Sequence, residues 1–169
     1  MSADMAIAQV LKWTRVDTAI GPVVLVASGR GVRNVLLNAT KPPAALDGVA
    51  AGDELSEPAG ALCDLIKGTR RDFPFALDWN QGTDFQRRVW RALLAVPWGH
   101  VVTYGELAQR MGIPVGASRA IGQANGANPL PVIIPCHRVV AAGGKLGGYS
   151  GGLDAKRFLL RREGITPPR

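Results

Sequence analysis

Thr103–Asn128 reads TYGELAQRMGIPVGASRAIGQANGAN, and its reading decides the architecture of the C-terminal half. Thr103 stands three residues before Glu106, the spacing of a capping box, and a short helix runs on to Arg110. Gly112–Gly116 supplies a turn, and ASRAIGQAN forms a second short helix. Two short helices joined by a tight, glycine-containing turn are the plan of a helix-turn-helix. The second helix has an unusual surface. Ala117, Ala120, Gly122 and Ala124 are small, and Arg119 is its only long basic residue. A major-groove reader offers several long polar side chains to base edges. Small residues instead let a helix lie close to a backbone or enter a narrow groove. Two readings therefore stand: a shape-reading, minor-groove element, or a helical hairpin buried for packing alone.

Charge favours the first. Residues 1–84 hold 8 Lys/Arg against 10 Asp/Glu, a net of −2, whereas residues 85–169 hold 12 against 3, a net of +9. The chain's overall +7 thus belongs to the half that carries the paired helices. Such asymmetry points to a polyanion, most often nucleic acid; the plainer alternative is a solvated basic face. At 169 residues the chain suits one domain or two small ones. It has no run approaching the roughly 18 apolar residues of a membrane helix, and MSADMAIAQVLKW lacks the pattern of a secretory leader. Two cysteines, Cys63 and Cys136, make no disulfide framework, and a reducing, cytoplasmic setting is expected. With two histidines and two scattered cysteines, a structural zinc site is not expected.

Upstream, VLKWTRVDTAIGPVVLVASGRGVRNVLL alternates β-branched runs with breaks at IGP and SGRG, predicting a small sheet with a hairpin between Val23–Ala27 and Val32–Leu37. NATKPPAALDGVAAGDEL reads as a loop or tether. SEPAGALCDLIKG reads as a helix with Ser56 as N-cap and Gly68 as stop, and Cys63 inside it as a packing residue. FPFALDWNQG marks a domain boundary, giving domains over 1–80 and 81–169. TDFQRRVWRALLAV places Phe85, Val89, Trp90, Leu93 and Leu94 on one helical stripe, capped by Thr83 or Asp84. AAGGKLGGYSGG is a glycine-rich loop without the Lys-Ser/Thr pair of a phosphate cradle. LDAKRFLLRREG closes the chain as a helix with Leu153, Phe158 and Leu159 or Leu160 inward and the basic residues outward.

NPLPVIIPCHRVV, Asn128–Val140, reads as a buried strand interrupted by Pro135, and it places Cys136 beside His137. A thiol attacks as thiolate, yet a free thiol of pKa roughly 8.5 is mostly protonated at neutral pH. His137 is the adjacent base, and Arg138 adds positive charge. On an extended chain the two side chains point apart, so a water must carry the proton between them. An imidazole base needs an orienting carboxylate. Only Glu106, Asp154 and Glu163 are present in this half. Glu106 is used by the capping box, and Glu163, at the end of an otherwise basic helix, is the candidate. The alternative is a buried cysteine and a solvated histidine that are unrelated.

With TYGELA, SRAIGQANGANP and GGYSGGLDAKRFLLRREG, this segment resembles the O6-alkylguanine-DNA alkyltransferases, or methylated-DNA–protein-cysteine methyltransferases, in their bacterial single-function form. The strong part of the likeness covers Phe85–Gly164. It implies an α+β fold: a small antiparallel-sheet, ribonuclease H-like N-terminal domain and a helical C-terminal domain with a helix-turn-helix. It implies DNA repair by a single, irreversible transfer of an alkyl group to Cys136, from O6-alkylguanine and, as an open second substrate, O4-alkylthymine. His137 would deprotonate the thiol through a water, with Glu163 orienting the imidazole. Tyr104 would assist the leaving base, and Asn128 would brace the turn that carries the cysteine. Arg119 would fill the stack left by the flipped base, with Ala120, Ala124 and Thr103 as further DNA contacts. Tyr149 and Ser150 would cover the base, and backbone carbonyls near Cys136 and Val139 would read its amino edge. The partner implied is double-stranded DNA carrying O6-alkylguanine, bound by a monomer, with cooperative assembly on DNA open. Neither cofactor nor metal is implied, and no membrane. Rival readings are a lesion-binding relative without the nucleophile, a Cys-His hydrolase and a helix-turn-helix regulator. The first lacks a place for Cys136, the second for the basic half, and the third for Tyr104, Cys136, His137 and Glu163.

Overall fold

The computed structural model describes residues 10–46 and 48–167, so residues 1–9 of the stretch read for a leader lie outside it. The architecture is α+β, and the chain divides into two compact units at Gln81/Gly82.

In the first unit β1 (Lys12–Thr18), β2 (Gly21–Ser28) and β3 (Gly31–Leu37) form an antiparallel meander. Both connections are two residues long, and Gly21 (φ +102°) and Gly31 (φ +140°) take up the positive φ at their ends, where side chains are disfavoured. Central β2 buries Val23, Val24, Leu25 and Val26 completely, the unbroken apolar run expected of a strand covered on both faces. Helix α1 (Ser56–Lys67) packs Leu62, Leu65 and Ile66 on this sheet and stops at Gly68 in the left-handed conformation. Two expectations change here. The Ala/Gly-rich tether holds a short edge strand, β4 (Val49–Ala50), paired parallel to β1. Ser56 is the first helical residue rather than the N-cap; its hydroxyl donates to Asp53 O, because a 3-10 turn at Asp53–Leu55 already leads into the helix.

The second unit is built around α2 (Asp84–Leu94), α3 (Tyr104–Arg110), α4 (Ser118–Gly126) and α5 (Leu153–Arg162). Thr83 with Gln86 and Thr103 with Glu106 both form complete capping boxes, each satisfying backbone donors at a helix start. Between α3 and α4 the chain turns through Gly112 and a 3-10 segment, Val115–Ala117, completing the helix-turn-helix. Trp90 pins it: its indole Nε1–H donates 2.8 Å to Ala124 O inside the core between α2 and α4. Leu94, expected on the inward stripe, is 44% exposed, because α2 ends there and the inner face stops at Leu93. On α5, Leu153 is exposed, while Leu159, Leu160 and, unexpectedly, Lys156 are buried. Among the described residues no helix is long and apolar enough to cross a membrane.

Two short parallel strands, β5 (Val102–Thr103) and β6 (Val139–Val140), tie the head of α3 to the cysteine segment. Tyr104 and Cys136 are thereby fixed relative to one another by backbone pairing.

Candidate active site

The cysteine segment is not a strand. Leu130–Ile134 forms a tight turn closed by Ile134 N–H donating to Leu130 O, and Val132 sits within it at φ +74°. A β-branched residue in that region is strained, by roughly 1–3 kcal/mol, and persists only where its surroundings hold it. Asn128 does the holding: its Nδ2 donates to Ile134 O, and its Oδ1 accepts from Leu130 N–H, both at 2.9 Å. Cys136–Arg138 then forms a single 3-10 turn. Successive side chains there diverge by about 120°, a third of a turn, so the alternation expected of an extended chain does not apply. The separation of thiol and imidazole survives for a different reason.

That reason is Glu163. His137 Nε2 lies 2.7 Å from Glu163 Oε1, drawing the ring toward the end of α5. Arg138 grips the same carboxylate through Nε and Nη2 at 2.9–3.1 Å, and its Nη1 donates to Val96 O. Gly99 N–H donates to Glu163 Oε2 at 3.1 Å. A carboxylate at a helix C-terminus opposes the helix dipole; here the Arg138 cation, the imidazole N–H and a backbone amide compensate. All three side chains are buried. Burial would push the Glu163 carboxyl up, but its bonds to His137 and Arg138 outweigh this and hold it at about 2. Burial pushes His137 below its ordinary value against the pull of Glu163, so the imidazole is neutral at neutral pH. With Nε2–H donating to an ionised carboxylate, Nδ1 is the basic nitrogen, and it is buried with no hydrogen-bond partner.

Cys136 is 3% exposed, and burial pushes its thiol up to about 11. The Asn128 side chain, the positive charge of Lys156 and the local backbone N–H groups favour the thiolate without overcoming burial. At rest the residue is a thiol and must be deprotonated to react. Lys156 is fully buried, donating from Nζ to Val139 O (2.6 Å) and Gly148 O (3.1 Å). No carboxylate pairs with it among the described residues, and burial lowers it to about 8. Sequence reasoning placed it outward with the other basic residues. The signal it passed over was spacing: Lys156 stands three and four residues before Leu159 and Leu160, on the same helical face.

A cavity of about 200 Å³ opens at the thiol. Tyr104, Cys136, Tyr149 and Ser150 lie around it, together with Gly148. Its remaining wall is α4, through Gly122, Asn125 and Gly126. Gly122 faces the Tyr104 ring; a Cβ there would make ordinary contact, 3.7 Å from Cε1. Gly147, at φ +75°, lets the loop pass over the site; a Cβ there would lie 3.7 Å from the Tyr104 hydroxyl. Burial, and then the neighbouring Cys136, raise Tyr104, which keeps its proton at neutral pH. Tyr149 stands edge-on to His137, with ring centroids 6.4 Å apart.

The structure thus gathers Cys136, Tyr104, Tyr149 and Ser150 around one cavity, with His137 and Glu163 behind the thiol and Asn128 beneath it. Val139 is not among the cavity's walls, and its carbonyl carries the Lys156 ammonium. Arg119 and Ala120 are exposed on α4 with Gln123, which sequence reasoning did not single out. Thr103 spends its hydroxyl on the Glu106 N–H. Ala124 is 2% exposed on the core side of α4, so its side chain is not available to DNA as expected; the helix turns that residue toward Trp90.

Residues 84–165 match the family described as 6-O-methylguanine DNA methyltransferase, DNA binding domain. Over 159 residues the chain is 41% identical to a methylated-DNA–protein-cysteine methyltransferase of Mycobacterium tuberculosis, covering 94% of this chain and 95% of the relative. A namesake from Methanosarcina acetivorans is 40% identical over 150 residues, covering 88% and 95%. Among solved structures, Mycobacterium tuberculosis OGT in complex with DNA aligns with a TM-score of 0.82 at 41% identity, covering 93% of this chain and 95% of that one. The O6-methylguanine-DNA methyltransferase of Pyrococcus kodakaraensis aligns at 0.69 and 28% identity, covering 92% and 99%. At these identities and coverages, the chain belongs to the methylated-DNA–protein-cysteine methyltransferase family.

Proposed function

We propose that this protein repairs DNA by moving an alkyl group from O6 of guanine in a duplex onto Cys136, once per molecule. The observation that carries the reading is a buried thiol facing a base-sized cavity, with a neutral imidazole held on an ionised carboxylate behind it. The cavity lies below the roughly 300–1,000 Å³ of drug-sized pockets and suits one flat base. A base inside a duplex cannot reach it, so the nucleotide must be flipped out, at a cost of a few kcal/mol.

His137 Nδ1 takes the Cys136 proton through one water, leaving a thiolate and an imidazolium stabilised by Glu163. The sulfur lone pair attacks the alkyl carbon in line with its bond to O6. The C–S bond forms as the C–O bond breaks, and that electron pair stays on the purine. Tyr104, still protonated, donates to the departing base. A thioether has no leaving group to spare, so the site is spent. Lys156 lowers the energy of the thiolate by charge. Asn128 fixes the turn beneath the sulfur, and Tyr149 with Ser150 closes over the base. The chain acts as a monomer, in the reducing cytoplasm where Cys136 stays reduced.

Exposed Arg119 and Ala120 suit close approach to the minor groove, with Arg119 filling the vacated stack. Arg119→Ala is therefore expected to slow repair of duplex DNA about tenfold or more while leaving reaction with free O6-benzylguanine nearly unchanged, since only the duplex pays for unstacking. Single-turnover rates on both substrates check this; equal slowing would remove the flipping role.

Incubation with duplex DNA containing O6-methylguanine, followed by intact and peptide mass measurement, tests the function. One methyl per protein is expected, on Cys136, with Cys63 unchanged. Repeated turnover, or binding without mass gain, overturns it.

A further inference from the structure

We propose that Gln123 reads an undamaged guanine beside the lesion from the minor groove, so that the rate of repair depends on the sequence around the damaged base. This rests on the function proposed above, with α4 as the element that lies in the groove. Ile121, Ala124 and Asn125 turn inward on α4, leaving Arg119, Ala120, Gln123 and Gly126 exposed. That outer face carries two long side chains, Arg119 and Gln123, four residues and so about one turn apart. Arg119 brings charge, which any phosphate satisfies. Gln123 brings none, and it lies away from the walls of the Cys136 cavity. Among the described residues its backbone carbonyl accepts from Ala127 N–H, and its carboxamide has no hydrogen-bond partner. Ala120 before it, and Gly126 and Ala127 after it, keep the helix surface low. The carboxamide is therefore what projects from this face toward a groove floor.

A carboxamide holds a donor and an acceptor side by side. In the minor groove adenine and thymine show an acceptor alone, whereas guanine adds the 2-amine donor next to its N3 acceptor. Gln123 can satisfy both groups of a guanine at once, its NH2 donating to N3 and its carbonyl accepting from the amine. On an A·T pair it makes one bond, and its oxygen is left without a donor. The position of the pair follows from the helix. With Arg119 in the vacated stack, Gln123 lies about 6 Å farther along the axis of α4, less than two base steps of roughly 3.4 Å each. The pair it reads is thus a near neighbour of the lesion. One such contact on a face otherwise made of small residues biases repair by sequence without restricting it to a fixed site.

The test measures single-turnover methyl transfer to the full chain from duplexes holding O6-methylguanine, below saturating DNA. One pair at a time is changed over the two steps on either side of the lesion. Guanine is replaced by hypoxanthine, which lacks only the 2-amine, and adenine by 2-aminoadenine, which gains only that amine. At one of these positions the wild type is expected to lose about fivefold with hypoxanthine, the effect of a lost hydrogen bond, and to gain a similar factor with 2-aminoadenine. Gln123→Ala should lose that dependence. Each ratio is taken on one protein, so a difference in folded fraction cancels, and effects of the amine on pairing or stacking are common to both proteins. The inference is overturned if the wild type ignores the amine at every position or if Gln123→Ala keeps the wild-type ratios. It is also overturned if 7-deazaguanine, altered only in the major groove, produces the effect in place of hypoxanthine. The functional reading survives all three results. Absence of transfer from every duplex by the wild type overturns both.

Discussion

Glu163→Ala is expected to cost the C-terminal unit about 3–5 kcal/mol of stability, the usual penalty for removing one partner of a buried ion pair. Three groups lose their acceptor at once: His137 Nε2–H, the Arg138 guanidinium and Gly99 N–H. Arg138 is the costly one, because its guanidinium would be left as a buried charge with no counterion. Linkage gives a similar size. The Glu163 carboxyl sits at about 2 rather than 4.5, a depression worth about 3 kcal/mol. Because the folded-state value is depressed, this stability is present above pH 4.5 and is lost as pH falls through about 2. Urea unfolding of wild type and variant at pH 7 should differ by the full amount, and the difference should shrink as pH is lowered from 5 toward 2. A variant within 1 kcal/mol of wild type at pH 7 would show that the cluster contributes little.

His137→Leu is expected to slow alkyl transfer at pH 7 by about 10²–10⁴-fold, the range for loss of a general base. Folding should suffer less than with Glu163→Ala, since Arg138 still neutralises the carboxylate. The pH profile is the sharper check. In the wild type the depressed imidazole stays neutral down to weakly acidic pH, so the rate should hold level through neutrality and fall only once His137 is protonated. In the variant the thiol must ionise unaided from about 11. Its rate should climb steadily with pH and approach the wild type in strong alkali. A variant with a level profile would mean that His137 is not the base. Rapid-quench single-turnover measurements from pH 6 to 10 distinguish the two.

Much of this site was legible because scarcity narrowed the choices. With three carboxylates in the basic half and one of them in a capping box, Glu163 stood out as a misfit on a basic helix, and the misfit is explained by Arg138 and His137. Capping boxes are local and were read directly from Thr103 and Glu106. What escaped were properties settled by tertiary contact. PVIIPCHRVV has the composition of a strand, yet Asn128 bends it into a turn and a 3-10 segment, an override that propensity cannot show. Lys156 reads as a surface residue because lysine usually is one; its burial depends on carbonyls of Val139 and Gly148 that are distant in sequence. Ala124 and Asn125 have opposite chemistry but share the inner side of α4, a matter of helix rotation that small residues do not reveal.

The burial of Cys136 has a consequence for a protein that can act only once. Thiolates are what peroxides and stray electrophiles attack, and every such accident would destroy a repair molecule before it met a lesion. A sulfur kept 3% exposed and protonated up to about 11 is chemically dormant during that wait. On the mechanism proposed above, the reactive form arises only when a base fills the cavity and the relay through His137 removes the proton. Low intrinsic reactivity is thus what gives the idle protein its shelf life.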